Sequence, residues 1–398
     1  MCGITAIYTQ NNIREKIFNL LLNIQHRGQD SYGFSDGLNV EKFDGMIKNK
    51  PIKLSKNIAI GHTRYITNGV LRQPLVMDDI TLVHNGHIKE FERSDKSDSQ
   101  VLLDYIIENK KEDIIQAIKK VIYNIEGSFF VILIYRDTIY AFKDRYGIRP
   151  GLYGFDGEDI LISSENNNNP FINIDIKPGE IITISDGILK KEETINYLKP
   201  CIFEYLYFSR ASSKIYGLSV DDFRVKLAYL SKDLIKNHID VVCGVPSSSR
   251  VYGLELARVL KKDYIEPFVK KKRSFILPTQ EERENYVKEK YKFNSNAFNY
   301  NNVLIVDDSI VRGTTSKHLI GLFKKKGCNV TFLSCSPKIV NINKYGINIS
   351  KKNELISYNR TDDEIRDYLG CDVLIFQTVE NLYQASGFKD LELSIYKD

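Results

Sequence analysis

Tryptophan is absent from the 398 residues, and methionine (3), cysteine (6) and proline (10) are scarce. The cysteines, Cys2, Cys201, Cys243, Cys328, Cys335 and Cys371, are scattered and form no CxxC pair. That spacing supports neither a disulfide framework nor a zinc site, and it fits a reducing cytoplasm. Long apolar runs are also missing: Phe129 to Tyr135 is only seven residues, against the roughly 20 a membrane helix needs. It reads as a buried strand, and no membrane partner is expected. Neither sign of charge dominates. A net +5 is too dilute to argue for nucleic acid outside one local cluster near residue 270. Met1-Cys2-Gly3 carries no basic segment and no apolar core of a signal, so no leader is expected.

What is present is an ordinary globular composition, 42% hydrophobic and 27% charged, in a chain long enough for two domains. The first half is strand-rich: Phe129 to Tyr135 and Thr138 to Lys143 flank a tight turn at Arg136 and Asp137. Helical spacing appears in Asn12 to Leu22 and, as one stretch, in Gln100 to Val121. The second half alternates, with a helix over Val220 to Ile235, a strand Val241 to Gly244, a strand Val303 to Val306 and a helix Thr315 to Lys326. Such alternation predicts a parallel sheet. The boundary is expected near Pro200, giving units 1–199 and 200–398. Asn166 to Asn169 reads as a surface loop.

A cysteine at position 2 is followed by company that gives it chemical meaning. Met1 is ordinarily removed before a small residue, so the thiol would share its residue with a free α-amine. Such an amine, with a reference pKa of about 7.7–8, can take the thiol proton and return it to a leaving group. Then come His26-Arg27-Gly28-Gln29-Asp30-Ser31-Tyr32-Gly33, Gly61-His62-Thr63-Arg64-Tyr65, His84-Asn85-Gly86 and Ser97-Asp98. In this order they resemble the class II glutamine amidotransferases, whose N-terminal cysteine hydrolyses glutamine. The resemblance implies that Cys2 is the nucleophile, and that the Asn85 side-chain amide and the Gly86 backbone N–H stabilise the oxyanion. It assigns the glutamine α-carboxylate to Arg64 and the α-ammonium to Asp98. Arg27 would stand near the nucleophile, where its charge favours thiolate. Taken without that resemblance, Asn85-Gly86 is equally a hairpin turn. His84 and His87 suggest a metal, but no acidic or thiol partner stands at a ligand spacing.

The most specific segment is Val303-Leu304-Ile305-Val306-Asp307-Asp308-Ser309-Ile310-Val311-Arg312-Gly313-Thr314-Thr315. A buried strand ends on two carboxylates, and a Gly-Thr-Thr turn opens a helix whose N-terminal N–H groups favour an anion. It matches the phosphoribosyltransferase signature. That likeness implies a 5′-phosphate against Arg312, Gly313, Thr314 and Thr315, with Ser309 in the same turn, and ribose hydroxyls on Asp307 and Asp308. Mg²⁺ would sit mostly on the pyrophosphate of phosphoribosyl pyrophosphate (PRPP), near Asp307 and Asp308. The basic stretch with Lys272, Arg273, Gln280 and Arg283 around Phe275 resembles the mobile loop that covers the pyrophosphate and excludes water. Ser247 and Ser248 stand where pyrophosphate contacts are expected, Ser247 in place of the usual acid.

With Cys201 to Arg210 linking the halves, nearly the whole chain resembles the amidophosphoribosyltransferase family. This implies an N-terminal nucleophile αββα sandwich (α+β) followed by an α/β parallel-sheet domain. It implies transfer of glutamine-derived ammonia to PRPP in the first step of de novo purine synthesis. Purine nucleotides are the expected feedback ligands, and a homodimer or homotetramer the expected assembly. Some members hold an iron–sulfur cluster on four thiolates. Here Asn343 replaces one cysteine and the terminal CxxC is missing, so no iron–sulfur cluster is expected. A catalytically weak PRPP-binding regulator is the alternative.

Overall fold

The computed structural model describes residues 1–65, 71–91, 95–110, 113–193, 197–270, 291–293, 300–346, 349 and 351–397. Among them, the N-terminal half builds two antiparallel sheets. The seven-stranded sheet centres on β1 (Gly3–Tyr8) and β2 (Ile58–Arg64), which pair with Gly3 opposite Thr63 and Ile4 opposite His62. The six-stranded sheet centres on β3 (Ile80–His87) and β4 (Ser128–Tyr135), with Asn85 opposite Phe130 and Gly86 opposite Phe129.

Alternation along these strands sorts side chains into layers. Ile4, Ala6, Ile58 and Ile60 meet Val83, Phe130 and Ile132 between the sheets. Ile7 and Ala59 point the other way, onto Ile17, Leu20 and Leu21 of α1 (Ile13–Asn23). Leu82, Val131 and Leu133 pack outward on Leu102, Ile106, Ile118 and Ile122 of α2 (Asp98–Asn109) and α3 (Ile114–Asn124). Each such buried aliphatic contributes about 1.5–3 kcal/mol of transfer free energy. The result is the expected helix–sheet–sheet–helix sandwich. The turn at Arg136 and Asp137 has both residues at positive φ, 48° and 58°, the geometry of a two-residue hairpin.

One expectation is corrected. The periodic stretch from Gln100 to Val121 is two helices rather than one. Asp113 sits in extended backbone and its side chain accepts from the Ile115 N–H, so the chain restarts a helix there. An aspartate bonds nearby backbone donors more readily at a cap than in a helix interior. Apolar spacing alone does not register such a break.

In the second half, strands run in the order Asp263–Ile265, β5 (Val241–Gly244), β6 (Asn302–Asp307), Asn329–Ser334 and Val373–Phe376, with all neighbours parallel. Val303, Ile305, Val330 and Phe332 face Leu319, Ile320 and Phe323 of the helix Thr314–Lys324. Leu304, Val306 and Leu333 face the opposite way, onto Phe223, Leu227 and Leu256. Both faces are covered, which is why β6 reads as an unbroken apolar run. Cys201, Ile202, Phe203, Tyr205 and Leu206 join this second core, together with Ile148 from the first half. No helix among the described residues is long and apolar enough to cross a membrane.

Candidate active sites

The first site forms where the two antiparallel sheets face each other. Extending the β1–β2 register by one residue beyond Gly3 and Thr63 sets Cys2 opposite Arg64. Cys2 shares its pleat parity with Ile4 and Ala6, and so turns toward the interior between the sheets. Asn85 shares the parity of Val83 and turns toward the same interior from β3. The Cys2 thiol is half-buried, 3.9 Å from the Tyr65 carbonyl oxygen that accepts from it. Burial lowers the Arg64 pKa from its ordinary value, with partial compensation from neighbouring Cys2 and Asp30.

Asn85 lies inside a strand, so its dipeptide with Gly86 is not a turn. Its side chain is fully buried, and neither Nδ2 nor Oδ1 has a hydrogen-bond partner among the described residues. Leaving a buried amide unsatisfied costs about 1–3 kcal/mol, a cost a folded chain carries where a ligand completes the bonding. Gly86 is required by close approach: a Cβ there would collide with the Ser128 carbonyl oxygen and lie 2.7 Å from His84 Nε2. Asp98 opens α2 beside the end of β3. Its Oδ2 accepts from the Ile88 N–H at 3.2 Å and its Oδ1 from the Ser99 N–H at 2.7 Å. Ser97 caps that helix in a reciprocal box with Gln100. His84 faces away from Asn85, with Nδ1 2.9 Å from Ser99 Oγ. Among the described residues no group of three His, Cys, Asp or Glu could hold a metal ion.

Arg27 lies against the Cys2 backbone. Its Nε donates to the Cys2 carbonyl oxygen at 3.1 Å, and its two terminal nitrogens reach Glu165 at 2.7 Å and Glu204 at 3.0 Å. Burial works against its charge, but Glu204 and Glu165 more than offset this and hold its pKa above the ordinary value. Met1 is buried and lines a small cavity with Arg27, Tyr65, Tyr207 and Phe208. Burial lowers its amine to about 5.

The second site lies at the C-terminal edge of the parallel sheet, where β5 and β6 end side by side. Ser249 Oγ donates to Asp307 Oδ1 at 3.1 Å, Ser309 Oγ to Asp308 Oδ1 at 2.9 Å, and Ser248 Oγ also donates to Asp308. Ser247 follows Pro246 through a cis peptide bond in the same loop. Gly313 is at φ +77°, and a Cβ there would strike Ile356 Cδ1. No side chain caps the helix that follows, Thr314–Lys324, which leaves its first turn suited to an anion. Arg312 is held by Glu354, Nε to Oε2 at 2.9 Å. Its guanidinium is therefore already engaged beside the turn. Lys272, Arg273, Gln280 and Arg283, with Phe275, lie outside the described residues.

The structure thus brings Cys2, Arg64, Asn85, Gly86 and Asp98 to one sandwich end, and Ser247, Ser248, Asp307, Asp308, Ser309 and Gly313 to Thr315 to one sheet edge. The sequence gave no site role to Glu165, Glu204, Arg149 or Glu354. Ser249 had a signal, three consecutive serines after a strand. The charged residues had none, because their charged partners lie between 42 and 177 positions away.

No protein-family profile matches the chain. An amidophosphoribosyltransferase of Methanocaldococcus jannaschii is 33% identical over 99% of this chain and 96% of its own length. One from Pasteurella multocida is 34% identical over 100% of this chain and 92% of its own. The solved glutamine PRPP amidotransferase of B. subtilis, complexed with ADP and GMP, superimposes with a TM-score of 0.85 at 29% identity, covering 99% of this chain and 94% of that one.

Proposed function

The chain belongs to the amidophosphoribosyltransferases, and from that membership we propose the roles of its residues at both centres. The reaction is transfer of glutamine-derived ammonia to PRPP, giving 5-phosphoribosylamine, glutamate and pyrophosphate, the first step of de novo purine synthesis. The observation that carries the residue assignment is the buried Asn85 amide without a partner, facing the side of the sandwich from which Cys2 approaches.

Removal of Met1 vacates the space against Arg27 and Tyr65 and leaves on Cys2 an α-amine, a group with a reference pKa of about 7.7–8, which accepts the thiol proton. The sulfur attacks the glutamine side-chain carbonyl, and the oxyanion draws on Asn85 Nδ2–H and the Gly86 N–H. The C–N bond breaks as the amine returns the proton to ammonia, and water then releases glutamate from the thioester. Arg64 and Asp98 hold the carboxylate and ammonium of glutamine, and Arg27 fixes the Cys2 backbone.

Ammonia passes within the protein, between the unit 1–199 and the unit 200–398, and attacks ribose C1 as the bond to pyrophosphate breaks. Asp307 and Asp308, oriented by Ser249, Ser248 and Ser309, accept from the ribose hydroxyls. The turn Arg312 to Thr315 receives the 5′-phosphate through its backbone and hydroxyls. The carboxylates of Asp307 and Asp308 and the hydroxyls of Ser248, Ser249 and Ser309 are hard oxygen donors, which fits Mg²⁺ held mainly by PRPP. When bound, that ion neutralises charge on the departing pyrophosphate. Ser247 and the basic segment containing Lys272, Arg273, Gln280 and Arg283 close over the pyrophosphate. Purine nucleotides act as feedback ligands in a cytoplasmic homo-oligomer, a reading supported by the nucleotides bound to the B. subtilis relative and by six unpaired cysteines. A catalytically weak regulatory role has no observation in its favour.

The test compares wild type with Cys2→Ala for PRPP-dependent pyrophosphate release, first with glutamine and then with ammonium. The variant loses the glutamine reaction and keeps the ammonium one. Equal glutamine-driven turnover in both proteins would remove Cys2 from the mechanism.

A further inference from the structure

Four buried charges form a compact cluster that the reaction chemistry does not itself require. Arg27, Arg149, Glu165 and Glu204 have side chains between 0% and 2% exposed. Two cations face two anions, so the cluster is neutral as a whole, the condition under which buried ion pairs persist. Glu204 is its centre. Both its carboxylate oxygens accept from Arg27 Nη2 at 3.0 Å. Oε1 also accepts from Arg149 Nη1 at 3.5 Å and Oε2 from Ser209 Oγ at 3.2 Å.

Each arginine leads to one half of the glutamine machinery. From Arg27, Nε holds the carbonyl oxygen of Cys2. From Arg149, Nε donates to Ser128 Oγ at 3.2 Å and Nη2 to the Tyr345 carbonyl oxygen, which Ser128 Oγ also reaches at 2.7 Å. Ser128 stands opposite His87 in the β3–β4 register, next to the pair Gly86 and Phe129. Its own carbonyl oxygen is the atom pressed against Gly86. Nucleophile and oxyanion strand therefore belong to different sheets, and a single carboxylate ties the arginine under one to the arginine under the other. That carboxylate is carried by Glu204–Phe208, in a segment whose apolar neighbours pack into the second core.

We propose that Glu204 is a positioning residue for the glutamine half-reaction, setting Cys2 and the Asn85–Gly86 strand in register with each other through Arg27 and Arg149. This rests on the assignment of Cys2, Asn85 and Gly86 given above. A carboxamide at 204 keeps the shape but offers one acceptor oxygen where two are used, and it leaves two arginines facing one anion. The sheets then lose their shared anchor while the PRPP-binding edge, built from β5 and β6, keeps every contact described for it.

The experiment measures Glu204→Gln beside wild type and Cys2→Ala, following pyrophosphate release with glutamine or ammonium, and the rate at which iodoacetamide alkylates Cys2. A displacement of about 1 Å at a reacting centre costs on the order of 10²-fold. Glu204→Gln is thus expected to lower glutamine-driven kcat by about ten- to a hundredfold, with slower alkylation, little change in the KM for glutamine and ammonium-driven turnover retained. Unchanged glutamine kcat, or a parallel fall with ammonium, overturns the proposal, the latter because it marks general structural damage. If Glu204→Gln does not fold, Ser128→Ala decides: a selective loss of glutamine turnover supports the relay, and no loss refutes it. Should Cys2→Ala keep glutamine turnover, the site assignment itself fails. Should only Cys2→Ala lose it, the relay alone fails.

Discussion

The two centres are built in opposite ways. At the N-terminal site the central polar group, the Asn85 amide, is buried and without a partner among the described residues, and its neighbours come from strands and a helix far apart in the chain. At the C-terminal site the central groups, Asp307 and Asp308, come from one contiguous segment and are each held by serine hydroxyls. In the proposed mechanism the first arrangement holds a buried donor for charge that appears only during reaction, where low dielectric makes it worth most. The second holds carboxylates in fixed orientation at a sheet edge that an already charged substrate enters from solvent. In the roles proposed above, one site serves a transition state and the other recognises a ground-state ligand.

Substitutions that remove one polar group from each site sharpen that contrast. Asn85→Ala carries the largest expected effect. Loss of one oxyanion donor costs about 10²- to 10³-fold in kcat, so glutamine-driven turnover should fall by that order with ammonium-driven turnover preserved. Steady-state rates with the two nitrogen donors measure it, and an effect confined to the KM for glutamine would break the distinction by making Asn85 a ground-state contact. Asp308→Asn should do less and do it elsewhere. A hydrogen bond to a charged group contributes about 1.5–3 kcal/mol, which predicts roughly a tenfold to hundredfold rise in the KM for PRPP. The rise should be the same with glutamine and with ammonium, and a glutamine-specific effect would place Asp308 outside the ribose site.

This contrast in construction also explains what could be read before the structure. Asp307 to Thr315 was legible because strand, acids and phosphate turn are adjacent in sequence, and an unbroken apolar run gave β6, and helical spacing its helix, to within two residues at each end. Cys2, Arg64 and Asn85 are each ambiguous alone and gained meaning from their order along the chain. Asn85-Gly86 has the composition of a turn, and only pairing with β4 shows it to be strand. Glu204 and Arg149 were illegible because a buried ion pair leaves no periodicity: its partners are fixed by tertiary packing. The split between α2 and α3 was lost for the converse reason, since both helices continue one apolar spacing and the break is made locally by Asp113.

His62 sets the smallest of the expected effects and tests the dryness of the N-terminal interior directly. It is fully buried opposite Ile4, and burial, followed by Arg64 and His84, lowers its pKa from 6.5 to about 3. The folded protein therefore holds His62 neutral across a range where the unfolded chain binds a proton. Its contribution to stability is fully present above pH 6.5, and it is lost progressively as pH falls from 6.5 toward 3. One proton of difference corresponds to a slope of at most about 1.4 kcal/mol per pH unit. His62→Gln removes the titrating group, so urea unfolding between pH 6 and pH 4 should show a shallower dependence by about 1 kcal/mol per unit, whatever the variant's stability at pH 7. A slope unchanged from wild type would mean that the interior admits water or charge at His62. Asn85, which follows the His84 that neighbours His62, would then lose the low dielectric on which its large effect depends, and the two centres would differ less than their construction implies.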